Sequence, residues 1–381
     1  MHETARLLRD LVSLPSVNPM GRLADAELSY EQRVTAYLEN YFQNLGVPYE
    51  RQTAAPQRDN IVAKFEQPGA RRTLLLEVHQ DTVPVDNMTI DPFGAVIENG
   101  KLYGRGACDV KGGMATMLFA FARLVREKPE NAMNVTLACT VDEEHTFIGV
   151  SKLIELGIKA DMAIIAEPTQ LKIVNAHKGI VRWHMRTVGR ACHSSKPDQG
   201  ENAIYRMGRL LVGLDRFAEH LQTTKEDTML GRPTFSVGRI EGGVSVNTVP
   251  DACRIEIDRR LLPGEDPQQA IADVTNFLQN EGGIDFPFEN VPAWMALPAL
   301  SPERSGDLVD ELGSVIDEVK GSFEVEAVPY GTDAANISAS GIPSVVFGPG
   351  NIAQAHTKDE WIELIQLEEA SEILFRLAAR G

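Results

Sequence analysis

A set of carboxylate and imidazole side chains follows apolar runs that are typical of buried strands. They are His79 and Asp81 after TLLLEV, Glu143 and Glu144 after VTLACTV, Glu167 after MAIIA, His356 in a short loop after SVVF, and Asp109 in the glycine-rich turn GRGACDVKGG before a helix. These side-chain types bind metals and carry protons. In an open parallel sheet, ligands bind at the carboxyl ends of the strands. We therefore predict that these side chains converge at one edge of a sheet.

Each member of the set also has an ordinary structural interpretation. A single histidine near a strand end is more often a packing residue than a ligand. Asp109 fits the N-cap of the following helix, and Glu144 fits a solvated turn. The stretch CTVDEEH (139–145) places three carboxylates side by side. Because like charges repel, either a nearby cation compensates for them or the stretch is solvated. The joint pattern of strand ends favours the cation.

Several other kinds of active site are excluded because the sequence lacks the motifs that define them. GRGACDVKGG is not a dinucleotide fingerprint, because Asp109 occupies the position of the third glycine. The sequence has no GxxxxGK[ST] phosphate loop, no HExxH zinc helix and no GxSxG nucleophile elbow.

The composition is that of a soluble globular protein, with 43% hydrophobic and 24% charged residues. The net charge of −17 argues against nucleic-acid and anionic-membrane partners. No apolar stretch reaches the ~18 residues that span a bilayer, and the N-terminus predicts an amphipathic helix with Leu7, Leu8, Leu11 and Val12 on one face. We expect a cytoplasmic protein. Its four cysteines form no CxxC pair and are predicted to be buried reduced thiols.

Strand and helix patterns alternate from about residue 60 to 175. RRTLLLEVHQD is typical of a strand in a sheet covered on both faces, and KGGMATMLFAFARLVRE has helical spacing. Strands separated by helices indicate βαβ units. This predicts the α/β class, with a mostly parallel sheet and helices on both of its faces.

A different order follows, in which the patterns read β-α-β-β-α-β, as in a ferredoxin-like domain. The α/β pattern then resumes. We therefore predict a main domain formed by residues 1–176 and 292–381, with a ferredoxin-like α+β domain inserted at residues 177–291.

Motifs along essentially the whole chain resemble the co-catalytic zinc aminoacylases and metallopeptidases. This family includes acetylornithine deacetylase, succinyl-diaminopimelate desuccinylase and glutamate carboxypeptidase. The motifs that carry the resemblance are HQDTVP, GRGACDVKGG, VDEEH, AEPT, AHKG, CHSSKPDQGENAI, NTVPDAC, GTDAAN and the late His356. The resemblance implies a zinc-peptidase-like catalytic domain, with the inserted domain as a lid and as the interface of a homodimer.

The resemblance also implies two Zn²⁺ ions, with Co²⁺ or Mn²⁺ as substitutes. His79 would bind one metal and His356 the other, Asp109 would bridge both, and Glu144 and Glu167 would be the terminal carboxylates. The two Zn²⁺ ions would carry four positive charges. The three carboxylates would neutralise three of them, which leaves one positive charge for a bridging hydroxide. Neutral imidazoles combined with carboxylates suit zinc.

The implied reaction is amide hydrolysis by a metal-bound hydroxide. Glu143 would be the general base that accepts the proton of the attacking water and later delivers it to the departing amine. Asp81 would accept the second ring N–H of His79 and fix its tautomer. His193, in the inserted domain, would reach across the dimer and help to hold the oxyanion.

Further residues match the family's substrate-binding positions. Asn247 and Arg259 would bind the substrate carboxylate, and Gly331 would line the pocket. The guanidinium of Arg259 suits a carboxylate, but a surface charge on an amphipathic strand is an equally good interpretation. Lys178 lies where desuccinylases carry an arginine-rich segment, which makes it a candidate for binding an acidic acyl chain.

AHKGIVRWHM and HSSKPDQGENAI look more like acetylornithine deacetylase than like the desuccinylase. The leading hypothesis is thus a deacylase of N-acyl amino acids that serves arginine biosynthesis. The alternatives are a desuccinylase, a dipeptidase or carboxypeptidase, a one-metal exopeptidase, and a non-catalytic, metal-stabilised binding protein.

Overall fold

The computed structural model of the chain describes residues 2–381. The chain forms two compact units. Unit 1 comprises the residues up to Asn175, Pro302–Glu326 and Thr332–Gly381, and unit 2 comprises Ala176–Ser301 and Ala327–Gly331.

The helices and strands follow one another along the described residues. The α-helices are α1 (Glu3–Val12), α2 (Gln32–Leu45), α3 (Lys111–Glu127), α4 (Ile148–Glu155), α5 (Ala203–Thr224), α6 (Pro267–Asn280), α7 (Gly306–Lys320), α8 (Ala334–Ala339) and α9 (Leu364–Ala378). The strands are β1 (Tyr49–Ala55), β2 (Arg58–Phe65), β3 (Thr73–His79), β4 (Val96–Glu98), β5 (Lys101–Tyr103), β6 (Asn134–Thr140), β7 (Met162–Ile165), β8 (Ile173–His177), β9 (Gly179–Val188), β10 (Cys192–His193), β11 (Thr234–Gly242), β12 (Thr248–Val249), β13 (Ala252–Leu261), β14 (Phe288–Asn290), β15 (Met295–Leu297), β16 (Val325–Val328), β17 (Ser344–Val346) and β18 (Trp361–Glu363).

The large sheet has the order β1-β2-β6-β3-β7-β17-β8-β16. At its centre β6, β3, β7 and β17 run parallel, whereas β1 and β2 are antiparallel additions at one edge. Strands β3 and β6 stay in register from Thr73↔Asn134 to His79↔Thr140. Their carboxyl ends therefore lie side by side at the same edge of the sheet, where the residues after each strand can meet.

The main core packs one face of this sheet against helices α1, α2, α3, α7 and α9. All four apolar residues predicted to share a face of the first helix are buried in it: Leu7, Leu8, Leu11 and Val12. Helices α4 and α8 also contact strands of the sheet, but their residues, all of them described, take no part in that core. They therefore cover the opposite face. The predicted α/β class, with parallel central strands and helices on both faces, is confirmed.

Unit 2 contains a second sheet with the order β11-β13-β9-β14, and β15 also pairs with β9. Its elements follow the order β9, α5, β11, β13, α6, β14, interrupted by the short pair β10 and β12. Helices α5 and α6 share a core with this sheet around the fully buried Trp183, whose indole N–H donates to Asn290 Oδ1 at 2.9 Å. The boundaries 177–291 and the function of this segment as a lid stay predictions.

The cysteines are all unpaired in the described chain. Cys108, Cys139 and Cys253 are buried, whereas Cys192 is partly exposed. The prediction of burial is wrong for Cys192 because this residue lies on β10, a two-residue strand that pairs with the equally short β12. Among residues 2–381, no helix has the length and apolar character needed to cross a membrane.

Candidate metal centre

Three adjacent parallel strands deliver most of the predicted site. Strand β3 ends at His79, β6 ends just before the turn at residues 141–147, and β7 ends two residues before Glu167. The turn carries Glu143 and Glu144, and its residue Asp142 adopts a positive φ of 66°. Convergence at the carboxyl ends of the strands follows from their parallel pairing.

Asp109 lies between two histidines that are 277 positions apart in the sequence. Its Oδ1 is 3.2 Å from His79 Nε2, and its Oδ2 is 3.2 Å from His356 Nε2. The N-cap of α3 is Val110, and no side-chain cap bond forms there. The N-cap interpretation of Asp109 is therefore wrong, since its carboxylate faces the two imidazoles.

The candidate ligands form two overlapping groups that share Asp109. One group, here called the buried half, consists of His79, Asp109 and Glu167, and the other, the open half, consists of Asp109, Glu144 and His356. Within each group, one ligand atom per residue lies within 4.8 Å of the others. The side chain of His79 is 2% exposed and that of His356 is 53% exposed. The two halves therefore differ in their access to solvent.

Glu144 and Glu143 lie in different surroundings although they are adjacent in the sequence. The Glu144 side chain is 6% exposed, with Oε2 3.2 Å from His356 Nε2, so the solvated-turn interpretation of this residue is wrong. Glu143 is partly buried and belongs to neither ligand group. One carboxylate of the pair thus lies within a candidate ligand group, and the other lies outside both groups.

In the metal-free site, the pKa values of the two imidazoles and of the shared carboxylate depend on one another. Burial lowers the pKa of His79, but hydrogen bonds to Asp109 and Asp81 outweigh it and keep that pKa well above its usual value. Hydrogen bonds to Asp109 and Glu144 raise the pKa of His356 to about 11. Burial also acts to raise the pKa of Asp109, but the two imidazoles hold it below its usual value. In the absence of a cation, protons on the imidazoles balance the carboxylates.

The remaining carboxylates show how much negative charge is concentrated here. Burial, followed by repulsion from Asp109, raises the pKa of Glu144 to about 7 and that of Glu167 well above its usual range. Burial likewise raises the pKa of Glu143 well above its usual range, with neighbouring carboxylates adding to the effect. A divalent cation would remove this repulsion. Three carboxylates and two imidazoles are also a donor set that suits zinc-like metals, so the residues present fit a metal centre.

Asp81 contacts two parts of the site, the ring of His79 and the turn that carries Glu143 and Glu144. His79 Nδ1 lies 3.0 Å from the main-chain oxygen of Asp81 and 3.5 Å from its carboxylate, so the ring is oriented mainly by the backbone. The Asp81 carboxylate accepts the main-chain N–H groups of Glu143 and Glu144 at 3.2 and 3.3 Å. It therefore fixes the turn that carries them, a contact that the sequence did not predict.

Sequence reasoning missed a buried polar layer behind these residues. Asn18 donates to Asp81 Oδ2 and to Asp142 Oδ1, both at 2.8 Å. Arg58 is paired with Glu31 and Asp142. The signal for this layer is weak, because Asn18 and Arg58 lie outside the apolar runs that point to the site.

A second missed feature is a pair of buried carboxylates, Glu77 and Asp333, near His79. Thr140 donates to Glu77 Oε1 at 2.5 Å and lies 3.3 Å from Asp333 Oδ2. Burial raises the pKa of Glu77 to about 7 and that of Asp333 well above its usual range. Asp333 lies in the motif GTDAAN, so its position in the sequence was a usable signal.

Unit 2 holds the residues predicted to bind substrate, beginning with two buried cations. Arg259 is 1% exposed and Lys178 is 6% exposed, so the surface-charge interpretation of Arg259 is wrong. Arg259 pairs with Glu265 at 2.9 Å, while its Nε has no hydrogen-bond partner in the described chain. Lys178 donates to the main-chain oxygen of Arg232. Burial lowers the pKa of both Lys178 and Arg259, and the charges of Arg259 and Arg260 lower the pKa of Lys178 further.

The other predicted residues of unit 2 have different surroundings. His193 is exposed, and its Nδ1 lies 2.8 Å from Ser195 Oγ. Asn247 is also exposed, and its main-chain oxygen accepts from Ser194 at 3.0 Å. A Cβ at Gly331 would lie 2.5 Å from a methyl group of Leu297, so a larger residue there would displace that side chain.

Comparison with known proteins agrees with this geometry. Residues 75–380 match Peptidase family M20/M25/M40. The chain is 33% identical over 353 residues to an acetylornithine deacetylase from Myxococcus xanthus, covering 90% of each protein. It is 30% identical over 383 residues to an acetylornithine deacetylase from Proteus mirabilis, covering 97% of this chain and 95% of that protein.

Solved structures show the same fold. The chain is similar to an M20 family metallo-carboxypeptidase from Sulfolobus solfataricus, with a TM-score of 0.80 at 22% identity over 100% of this chain and 99% of that chain. It is also similar to a dinuclear metal-binding M20 peptidase from Bacillus subtilis, with a TM-score of 0.71 at 17% identity over 99% and 96% of the two chains. Because the family match spans most of the chain and includes all the candidate ligands, the chain belongs to Peptidase family M20/M25/M40 and is a metal-dependent hydrolase of amide bonds.

Proposed function

We propose that this hydrolase has a two-metal centre and removes the acyl group from N-acyl amino acids, with N-acetylornithine as the leading substrate. The observation that carries the two-metal proposal is the pair of ligand groups joined by Asp109, whose two oxygens each lie 3.2 Å from a different imidazole. A one-metal exopeptidase would need only one such group. The named relatives that deacetylate acetylornithine support the substrate.

Zn²⁺ is the proposed metal, with Co²⁺ or Mn²⁺ as substitutes. His79 and Glu167 would hold one ion, Glu144 and His356 the other, and Asp109 would bridge them. When bound, such ions polarise an amide carbonyl and acidify water.

Glu143 is the proposed general base. It is partly buried beside the ligands but belongs to neither ligand group, so its carboxylate remains able to accept a proton from the attacking water and deliver it to the departing amine. Asp81 supports this by binding the main-chain N–H groups of the turn. Since Asp81 also contacts His79 Nδ1, it leaves Nε2 of that ring to act as a ligand.

Unit 2 is proposed to recognise the substrate. Arg259 and Lys178 would bind carboxylates, since both are buried cations and Arg259 Nε has no hydrogen-bond partner among the described residues. Asn247 would assist them, Gly331 would line the pocket, and His193 would stabilise the oxyanion. The buried Lys178 also favours a second candidate, an N-acyl substrate whose acyl chain ends in a carboxylate, such as a succinyl group.

A homodimer formed through unit 2 is also proposed. Strand β11 lies at the edge of its sheet, and Ile240 on this strand is 52% exposed. Tyr205 and Val212 on α5 are 76% and 63% exposed. Exposed edge strands and apolar patches are typical of surfaces that pair with another chain. The proposed location is the cytoplasm, where thiols stay reduced, and the unpaired cysteines support it.

The deciding experiment measures amine release from a panel of substrates by protein loaded with Zn²⁺ or Co²⁺. The panel contains N-acetylornithine, N-succinyl-diaminopimelate, other N-acyl amino acids and dipeptides. We expect N-acetylornithine to be hydrolysed fastest. Glu143→Ala should lower turnover by about 10²- to 10⁴-fold while retaining both metals.

Glu155→Ala serves as the matched control, because Glu155 is an exposed glutamate on α4 that pairs with Lys152. It should keep full activity. Wild-type turnover in Glu143→Ala would remove Glu143 as the base. Binding of both metals without hydrolysis of any member of the panel would favour a non-catalytic binding protein.

A further inference from the structure

Glu360 is a fully buried carboxylate whose hydrogen bonds all go to the segment that carries Asp109. Its Oε2 accepts from Arg105 Nη1 at 2.7 Å and from the N–H of Gly106 at 3.1 Å. Its Oε1 accepts from the N–H of Cys108 at 2.8 Å and from the N–H of Asp109 at 3.0 Å. Three of the four donors are main-chain groups, so this carboxylate determines the backbone path of the segment.

The same residue links that segment to the one that carries His356. Glu360 follows His356 by four residues in the sequence HTKDE. Its main-chain oxygen accepts from the N–H of Gly104 at 3.0 Å, and strand β18 immediately after it pairs with β5. The bridging carboxylate and the exposed histidine are therefore fastened to each other through Glu360.

The pattern of donors requires a carboxylate at this position. All four partners are N–H groups, and each oxygen of Glu360 accepts two of them. A glutamine would present its NH₂ group to one of these pairs, so donors would face donors and that pair of hydrogen bonds would be lost. Leaving such buried donors unsatisfied is costly. If Glu360 served only as the ion-pair partner of Arg105, its carboxylate would not need to accept hydrogen bonds from three main-chain N–H groups.

We propose that Glu360 is a positioning residue of the metal centre, which holds the main chain at 106–109 so that the two oxygens of Asp109 point at His79 and His356. The proposal rests on the proposed two-metal site. Glu360 itself belongs to neither candidate ligand group. It acts through Asp109, whose position both halves of the centre share.

The test measures metal affinity of Glu360→Gln by competition with a chromophoric chelator, together with the absorption spectrum of the Co²⁺-loaded protein. Removing groups that orient metal ligands weakens metal binding by about 10- to 100-fold, and we expect a loss of this size at both sites. The Co²⁺ bands should shift because the geometry at Asp109 changes. At saturating metal, KM should stay near the wild-type value while kcat is lowered.

Glu372→Gln is the matched control. Glu372 also accepts from two arginines, Arg123 and Arg376, each at 2.6 Å, but it lies on α9 and contacts no candidate ligand. This variant should keep wild-type metal affinity. Glu360→Asp, which retains the charge on a side chain shorter by one methylene, should fall between wild type and Glu360→Gln.

The outcomes separate this proposal from the proposed function. If the wild-type protein binds no metal, the metal centre itself is wrong. If the wild type binds two ions and Glu360→Gln binds them with equal affinity and an unchanged Co²⁺ spectrum, Glu360 has only a structural role, even where the unfolding temperature falls. If Glu360→Gln does not fold, wild-type metal affinity in Glu360→Asp overturns the proposal.

Discussion

The buried half and the open half of the candidate metal centre contain the same types of side chain in different surroundings. The buried half takes His79 and Glu167 from strand ends, and their side chains are 2% and 6% exposed. The open half takes His356 from a loop, with a positive φ of 61° and 53% exposure. Asp109 belongs to both halves.

In the proposed two-metal centre, this difference would divide the work between holding a cation and admitting a substrate. A ligand whose ring is oriented by a second contact, as His79 is by Asp81, loses little freedom on binding. An exposed ligand, which His356 is proposed to be, would leave its cation accessible to water and substrate. We expect the buried half to bind its cation more tightly and to exchange it more slowly than the open half.

The largest effect should come from the residue that both halves share. Asp109→Asn keeps the size of the side chain but replaces one ligand oxygen by an NH₂ group, which cannot bind a cation. We expect turnover to fall below detection and the metal content, measured by atomic emission after desalting, to drop at both halves. Retention of one tightly bound ion would show that the halves are independent and that Asp109 does not bridge them.

A smaller and asymmetric effect should follow from removing one histidine at a time. His79→Ala should weaken metal binding more than His356→Ala, by about tenfold or more, since the lost ligand is the preoriented one. Metal titrations followed by calorimetry would measure both. His220→Ala, at an exposed histidine on α5, should change neither affinity. Equal losses in the two ligand variants would contradict the division between a holding half and an open half.

Much of this arrangement was predictable from sequence because strands with parallel neighbours are continuous apolar runs. The helix predicted at 111–127 is α3, and the strand ends that carry His79 and Glu167 lie within two residues of the predicted positions. The resemblance supplied the pairing of ligands across hundreds of residues, which spacing alone does not give. The ligand roles themselves stay predictions.

The sequence was less informative where tertiary contacts decide the structure. Helix α2 and strands β1 and β2 were not predicted. For β1 the reason is that it is largely exposed at the sheet edge and has no continuous apolar run. Glu360 and Asn18 were missed because their roles depend on tertiary contacts, which a sequence pattern does not show. Glu360 lies within five residues of a predicted ligand, but proximity in sequence does not show that a carboxylate binds the backbone of a distant segment.

The smallest expected effect is the change in stability of the metal-free protein with pH. It is also the most direct test of how the two halves differ. Glu144 has a pKa of about 7 in the folded chain, above the usual 4.5. Between these values the folded state binds more protons than the unfolded state, so stability falls as pH rises from about 4.5 to 7. The pKa of His356 is raised from 6.5 to about 11, so the stability that its proton contributes is present below pH 6.5 and is lost as pH rises towards 11.

Both groups therefore destabilise the metal-free open half as pH rises, whereas metal binding favours the deprotonated ligands and strengthens with pH. Urea unfolding of chelated and metal-loaded protein from pH 5 to 9 should show a gap in stability that widens with pH. Glu144→Gln should reduce the pH dependence of the chelated protein, since it removes one of the two groups of the open half whose pKa is raised. A gap that stays constant from pH 5 to 9 would mean that these ligands do not exchange protons for metal, and the open half would then not be a metal site.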